Sequence, residues 1–164
     1  MAQFFQITAN EILSGVSKSI YDVYGDSLAI YKDKQQYLDL PAVTLYCINY
    51  EKEKGRFDRF TNTFNIIINY FPKHNVIIND NRIQMSQNVE KIMDAVEYIN
   101  LPAYQLDNKG EFIPGTLPTR AHDINIEEKE GFMQISVSYT VRTRKFNQNT
   151  KMNEIHLDIN NNIN

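Results

Sequence analysis

Apolar residues recur along this chain with two different periods, and the changes of period mark its elements. Ile12, Val16, Ile20 and Val23 repeat at helical spacing, with Leu13 and Tyr24 widening the stripe. Thr8 and Glu11 stand before it as a Thr-x-x-Glu capping box, and Ile7 with Ile12 form the hydrophobic staple across the box. Gly25 is the natural stop. The spacing predicts a helix over residues 8–24. A short strand over 27–31 and a polar loop over 32–36 follow. Pro41 then opens a β-branched and aromatic run over 42–50. The charged stretch 51–56 holds Gly55 and reads as a hairpin tip, with its return strand at 57–71. There Phe60, Phe64, Ile66, Ile68 and Tyr70 alternate with polar Thr61, Thr63, Asn65 and Asn69. One face of that sheet is therefore expected to be buried and the other polar.

Beyond Pro72 the helical period returns. Asn79, Asp80 and Asn81 offer caps, Met85, Val89, Ile92, Met93, Val96 and Ile99 form an apolar stripe, and Asn100 with Pro102 closes it. Residues 102–118 read as loop or weak strand, with a turn at 107–110. The cleanest alternation comes last. Ile124 and Ile126 lead to a turn at Glu130-Gly131, and Met133, Ile135, Val137, Tyr139 and Val141 then point one way. The pattern predicts an α+β domain over residues 1–145. Its order is α-β-β-β-α-β-β, an antiparallel or mixed sheet with two helices on one face. Residues 146–164 form a polar, asparagine-rich tail. Within it Ile155, Leu157 and Ile159 alternate with polar residues, a strand pattern over 153–159 without a hairpin partner.

Composition narrows the functional classes. The chain has 164 residues and a net charge of −3, a poor balance for gripping nucleic acid through phosphates. A single cysteine excludes an internal disulfide. No apolar run approaches a membrane span, and the first residues have no basic and apolar leader pattern. The asparagine excess fits either low complexity or codon bias.

Catalytic chemistry finds no footing in the pattern. His74, His122 and His156 fall in separate elements without metal-ligand spacing, and each reads as a surface or turn histidine. Cys47 lies among apolar strand residues and reads as a small buried hydrophobe with no base beside it. Gly110 and Gly115 lack the lysine and the strand–helix context of a phosphate loop. Asn79, Asp80 and Asn81 lack the glycine and closing glutamate of a calcium loop. No catalytic, cofactor-binding or metal-ligating residue is assigned. What remains is charge: the tip with Lys52, Lys54, Arg56 and Arg59, and the basic end of the last strand with Arg142, Arg144 and Lys145. Lys52, Lys54, Arg56, Arg59, Arg142 and Arg144, with Ile155, Leu157 and Ile159, are the candidate assembly-interface residues, since an unpartnered strand invites pairing with another chain.

Several segments together resemble the tail terminator, or tail completion, proteins of tailed phages and of phage-tail-like particles from Gram-positive bacteria. They are residues 7–12, residues 39–45, the tip at 55–60, and the strand at 63–72 ending Tyr70-Phe71-Pro72. The helix at 89–99 and the strand at 132–142 follow in the expected order, so the resemblance covers about 7–145. It implies a structural, non-enzymatic subunit without cofactor. Its copies would form a ring, usually a hexamer, capping the tail tube at the head-proximal end. The implied partners are the chain itself, the tube protein, neck or connector proteins and, in contractile particles, the sheath protein. DNA would be only a passing cargo, no membrane would be involved, and assembly would take place in the host cytoplasm. A neck or connector subunit is the alternative within the same apparatus. A small-molecule-binding α+β domain is the alternative outside it.

Overall fold

Thr8 starts the first helix as its capping box predicts. Its N–H and its hydroxyl both donate to the Glu11 carboxylate, the N–H at 2.8 Å. Partial burial works against ionisation of that carboxyl, but the Thr8 hydrogen bonds outweigh it and hold its pKa below the usual range. Helix α1 (Ala9–Tyr24) buries Ile12, Leu13, Gly15, Val16 and Ile20. It ends where Gly25 takes a φ of 58°, a left-handed conformation open to glycine. The computed structural model describes residues 7–33, 37–57, 59–73, 79–106, 108–109 and 111–144. The expected tail over 146–164, with its pairing strand, lies outside them.

The strands are β1 (Ala29–Tyr31), β2 (Ala42–Lys54), β3 (Arg59–Phe71), β4 (Tyr98–Leu106), β5 (Phe112–Lys129) and β6 (Phe132–Arg144), with helix α2 (Asn79–Val96) between β3 and β4. They form a six-stranded sheet in the order β1-β2-β3-β6-β5-β4. Only β1 and β2 are parallel, so the sheet is mixed. α1 lies against β2, β3 and β4, and α2 against β4 and β6. The core between helices and sheet includes Ile12, Val16 and Ile20 from α1, Val89, Ile92 and Val96 from α2, and Leu45, Ile66, Ile68, Ile135 and Val137 from the sheet. Tyr139 is buried there too, and its hydroxyl donates to the Val96 carbonyl at 2.6 Å, tying β6 to the end of α2. Burial pushes that phenol well above the ordinary tyrosine range.

Several expectations are corrected. The segment before β1 is a 3-10 turn over Gly25–Ser27, so the strand is shorter than 27–31. Val23, expected on the apolar stripe, is 49% exposed in the last turn of α1. The charged residues Glu51–Lys54 are strand rather than tip, because alternate registers place them opposite Thr63, Asn62, Thr61 and Phe60 of β3. Gly55, Arg56 and Phe57 make the turn, and β3 begins at Arg59. The second helix stops at Val96, and Ile99 is a strand residue. Ile99 stands three residues after Val96, as a helix would require. It also alternates with Leu101 and Ala103, all buried, and the strand period wins.

The region 102–118 is a long hairpin of β4 with β5, not loop. Its prolines disguised it. Pro102 lies on the outermost strand, and the part of β5 holding Pro114 and Pro118 pairs with β4 alone, so missing N–H groups are tolerated there. The element order is therefore the expected one with an additional strand.

Candidate assembly surfaces

The strand alternation that builds the core also builds the opposite, uncovered face of the sheet. On it two groups of hydrogen-bonded polar side chains lie side by side, each crossing three strands. Asn65 donates to Asn49 Oδ1 at 2.6 Å, and Ser138 donates to Asn65 Oδ1 at 2.6 Å. Thr63 and Thr140 lie 3.0 Å apart, and Thr140 Oγ1 is 2.7 Å from His122 Nε2. His122 Nδ1 in turn meets Asp123 Oδ2 at 2.8 Å. Asp123 reaches that position through a bulge in β5 and a φ of 52°. His122 was expected to be a lone surface residue; the bulge gives it partners that sequence spacing does not reveal.

The face is not polar throughout. Towards Pro72 it carries Ile67, 5% exposed, with Tyr46 opposite it in register, and a stack of Phe71 on Phe132 with centroids 4.9 Å apart. Asn69, on the same face, has a buried Oδ1 without a hydrogen-bond partner among the described residues. The triple isoleucine 66–68 hides this patch in sequence, because a continuous apolar run does not tell which members face which way.

The charged candidates divide between the two faces. Lys52 turns to the helix side, its Nζ 4.2 Å from the centre of the Phe60 ring, and alternation puts Lys54 on that side with it. Arg59 and Arg142 lie on the uncovered side, in neighbouring rows of β3 and β6, and Arg144 pairs in register with Arg59. Glu53, Thr61 and Arg142 share one row across β2, β3 and β6. Arg56 is exposed in the turn. The structure thus gathers Arg59, Arg142 and Arg144 at one corner and parts them from Lys52 and Lys54. Ile155, Leu157 and Ile159 lie outside the described residues, as do His74 and His156.

Besides the outer sides of the end strands β1 and β4, two further stretches lack a partner strand on one side among the described residues. β1 pairs only with Ala42–Thr44, which leaves the rest of β2 unpaired on its outer side. His122 to Lys129 of β5 pair with β6 alone, because β4 pairs only as far as Arg120 and the Ala121 N–H donates to the Glu97 carbonyl. Alternating charges on β2 and its bulge between Cys47 and Asn49 are devices that keep an edge from indiscriminate pairing. Cys47 donates to the Asn49 carbonyl at 3.3 Å, and burial raises its thiol pKa, so it is not a poised nucleophile. A hollow of about 560 Å³ between α1 and β1 is lined among others by Ser14, Lys18, Tyr21, Asp26, Leu28 and Lys32. No group of three His, Cys, Asp or Glu that could hold a metal occurs among the described residues.

The two-faced sheet, its charged arm and its unpaired strand stretches leave surfaces open to contact with other chains. Over residues 11–151 the chain matches the family described as phage tail terminator protein, and it belongs to that family. No curated protein matches the chain. Family membership makes it a structural protein of tail assembly, a component of the virion tail that meets other tail proteins. No helix among the described residues is long and apolar enough to cross a membrane.

Proposed function

We propose that copies of this chain assemble into a ring of six that caps the tail tube, ends its polymerisation and offers a surface to the neck or collar. In a contractile particle the same ring would also meet the last sheath layer. The observation that carries this reading is the arm of β2, β3 and β6, whose uncovered polar face and basic corner have no partner element within the described subunit. Ring contacts join two different surfaces of neighbouring copies, and such surfaces must stay free in the lone subunit. In this reading Lys52, Lys54, Arg56, Arg59, Arg142 and Arg144 belong to the contact surfaces, and Ile155, Leu157 and Ile159 add a strand to a neighbouring protein. The domain then ends near residue 145, and 146–164 is a docking tail.

Light scattering and negative-stain microscopy test the ring, alone and after mixing with tube subunits. The expected result is a closed particle of six copies; a monomer in both conditions contradicts it. A chain ending at Lys145 should keep the ring and lose the attachment to its partner.

A further inference from the structure

A closed ring needs each copy to offer two surfaces that fit one another, and the sheet carries such a pair at its two ends. At the β2–β3 turn Phe57 is 82% exposed and has a φ of 57°. A left-handed backbone strains a bulky aromatic where glycine would be at ease, and a wetted ring gains nothing from burial in return. Arg56 and Arg59 stand exposed on either side of it, in a chain whose net charge is −3. Asp58 lies between Phe57 and Arg59 in the sequence, so the turn 55–59 carries two arginines against one aspartate and is an apolar knob of net positive charge.

The opposite end of β6 lies roughly 40 Å away, at about 3.3 Å per residue. There the open edge of β5 carries Ile124 and Ile126, each 37% exposed. Asp123, Glu127, Glu128 and Glu130 are exposed and flank them in sequence, against Lys129; the register puts Glu128 on the face of Ile126 and Glu127 on the other. Lys129 pairs with Glu127 at 2.6 Å, and the edge stays net acidic.

Within one subunit the tip closes β2 and β3 at one end of the sheet while the seat lies on β5 towards the other end, and the two cannot meet. We infer that the Phe57 tip of one copy seats on the Ile124–Ile126 edge of the next, with Arg56 and Arg59 against Glu127 and Glu130. The inference rests on the ring reading above and names its contact. A second copy is the occupant because knob and seat are complementary in charge and in apolar character, and every copy has both. The contact is heterologous, so repeating it leads around a ring instead of stopping at a pair.

Two charge reversals and one apolar change test it. Arg56→Glu with Arg59→Glu reverses the tip, and Glu127→Lys with Glu130→Lys reverses the edge. Each variant alone should need at least ten-fold more protein to form the ring, while the melting temperature shifts by no more than the loss of the exposed Glu127–Lys129 pair, about 4 °C. An equimolar mixture should recover it, because reversed tips meet reversed edges and normal tips meet normal edges around an alternating ring. Phe57→Gly relieves the strained backbone, so its melting temperature should hold or rise while ring formation weakens by a similar factor. The contact is wrong if either reversal forms rings like the unaltered chain, if the mixture stays broken, or if Phe57→Gly leaves assembly intact. Reversed-tip rings that form normally yet fail to bind tubes would move the tip's partner to the tube subunit and overturn the proposal. If the unaltered chain forms no ring even with tube subunits, the ring reading itself fails and this contact falls with it.

Discussion

Gly15→Val should lower the melting temperature by roughly 6–12 °C, an effect of about 3 kcal/mol for a domain of this size. Gly15 sits in the buried side of α1 where β4 crosses it. A Cβ there would stand 3.3 Å from the Asn100 carbonyl oxygen, 3.4 Å from Ile99 Cδ1 and 3.5 Å from Ile99 Cβ. The nearest atom is backbone in a strand and cannot swing aside as a side-chain end would. Valine adds two methyl groups to this contact and forces α1 away from β4. Alanine adds only the Cβ and gains about 1 kcal/mol of helix propensity, so Gly15→Ala should be close to neutral. Thermal unfolding by circular dichroism checks both. A valine variant as stable as the unaltered chain would contradict the close packing of α1 on β4.

The second large effect is at the centre of the sheet. Ile68 is fully buried, with Leu45 of β2 and Ile135 of β6 beside it in register. Ile68→Ala leaves a cavity among neighbours held by strands on both sides, where collapse is limited, and should cost about 4 kcal/mol in denaturant unfolding. Thr63→Ala, on the uncovered face of the same strand, removes a partly exposed hydroxyl pair with Thr140 and should cost under about 1 kcal/mol. Similar costs at the two positions would mean that the helices do not cover the face assigned to them.

Elements whose local signals agreed with their final environment were legible in advance. The capping box of Thr8 and Glu11, the stripe of α1 up to Ile20, and the alternation from Met133 to Val141 each followed from residue spacing. Local signals misled where position in the sheet overrode them. The prolines of β4 and β5 spoke for loop, and only their placement on strands with an unpaired side makes them compatible with pairing. Ile99 satisfied two periods at once. Glu51–Lys54 looked like solvated turn residues because charges at an exposed arm carry no burial signal, whether strand or loop.

The candidate surfaces were legible as residue types and not as places. Arg59 and Arg142 are far apart in sequence, and only the β3–β6 register brings them to one corner. The His122–Asp123–Thr140 contacts depend on a bulge, which no periodicity announces. Phe57 passed as the first residue of a strand, since a left-handed aromatic has no sequence mark. The absence of ligand or catalytic spacing pointed away from pocket chemistry, and the likeness to tail terminators supplied the class that composition alone could not.

The central claim is that this subunit ends the growth of a tail tube. The most direct measurement is the length distribution of tubes, by electron microscopy, when purified tube subunits polymerise with and without the chain. Tubes should stop at shorter, dose-dependent lengths, each bearing a ring of the chain at one end. Tubes of unchanged length with bare ends, at concentrations where the chain is folded, would contradict it.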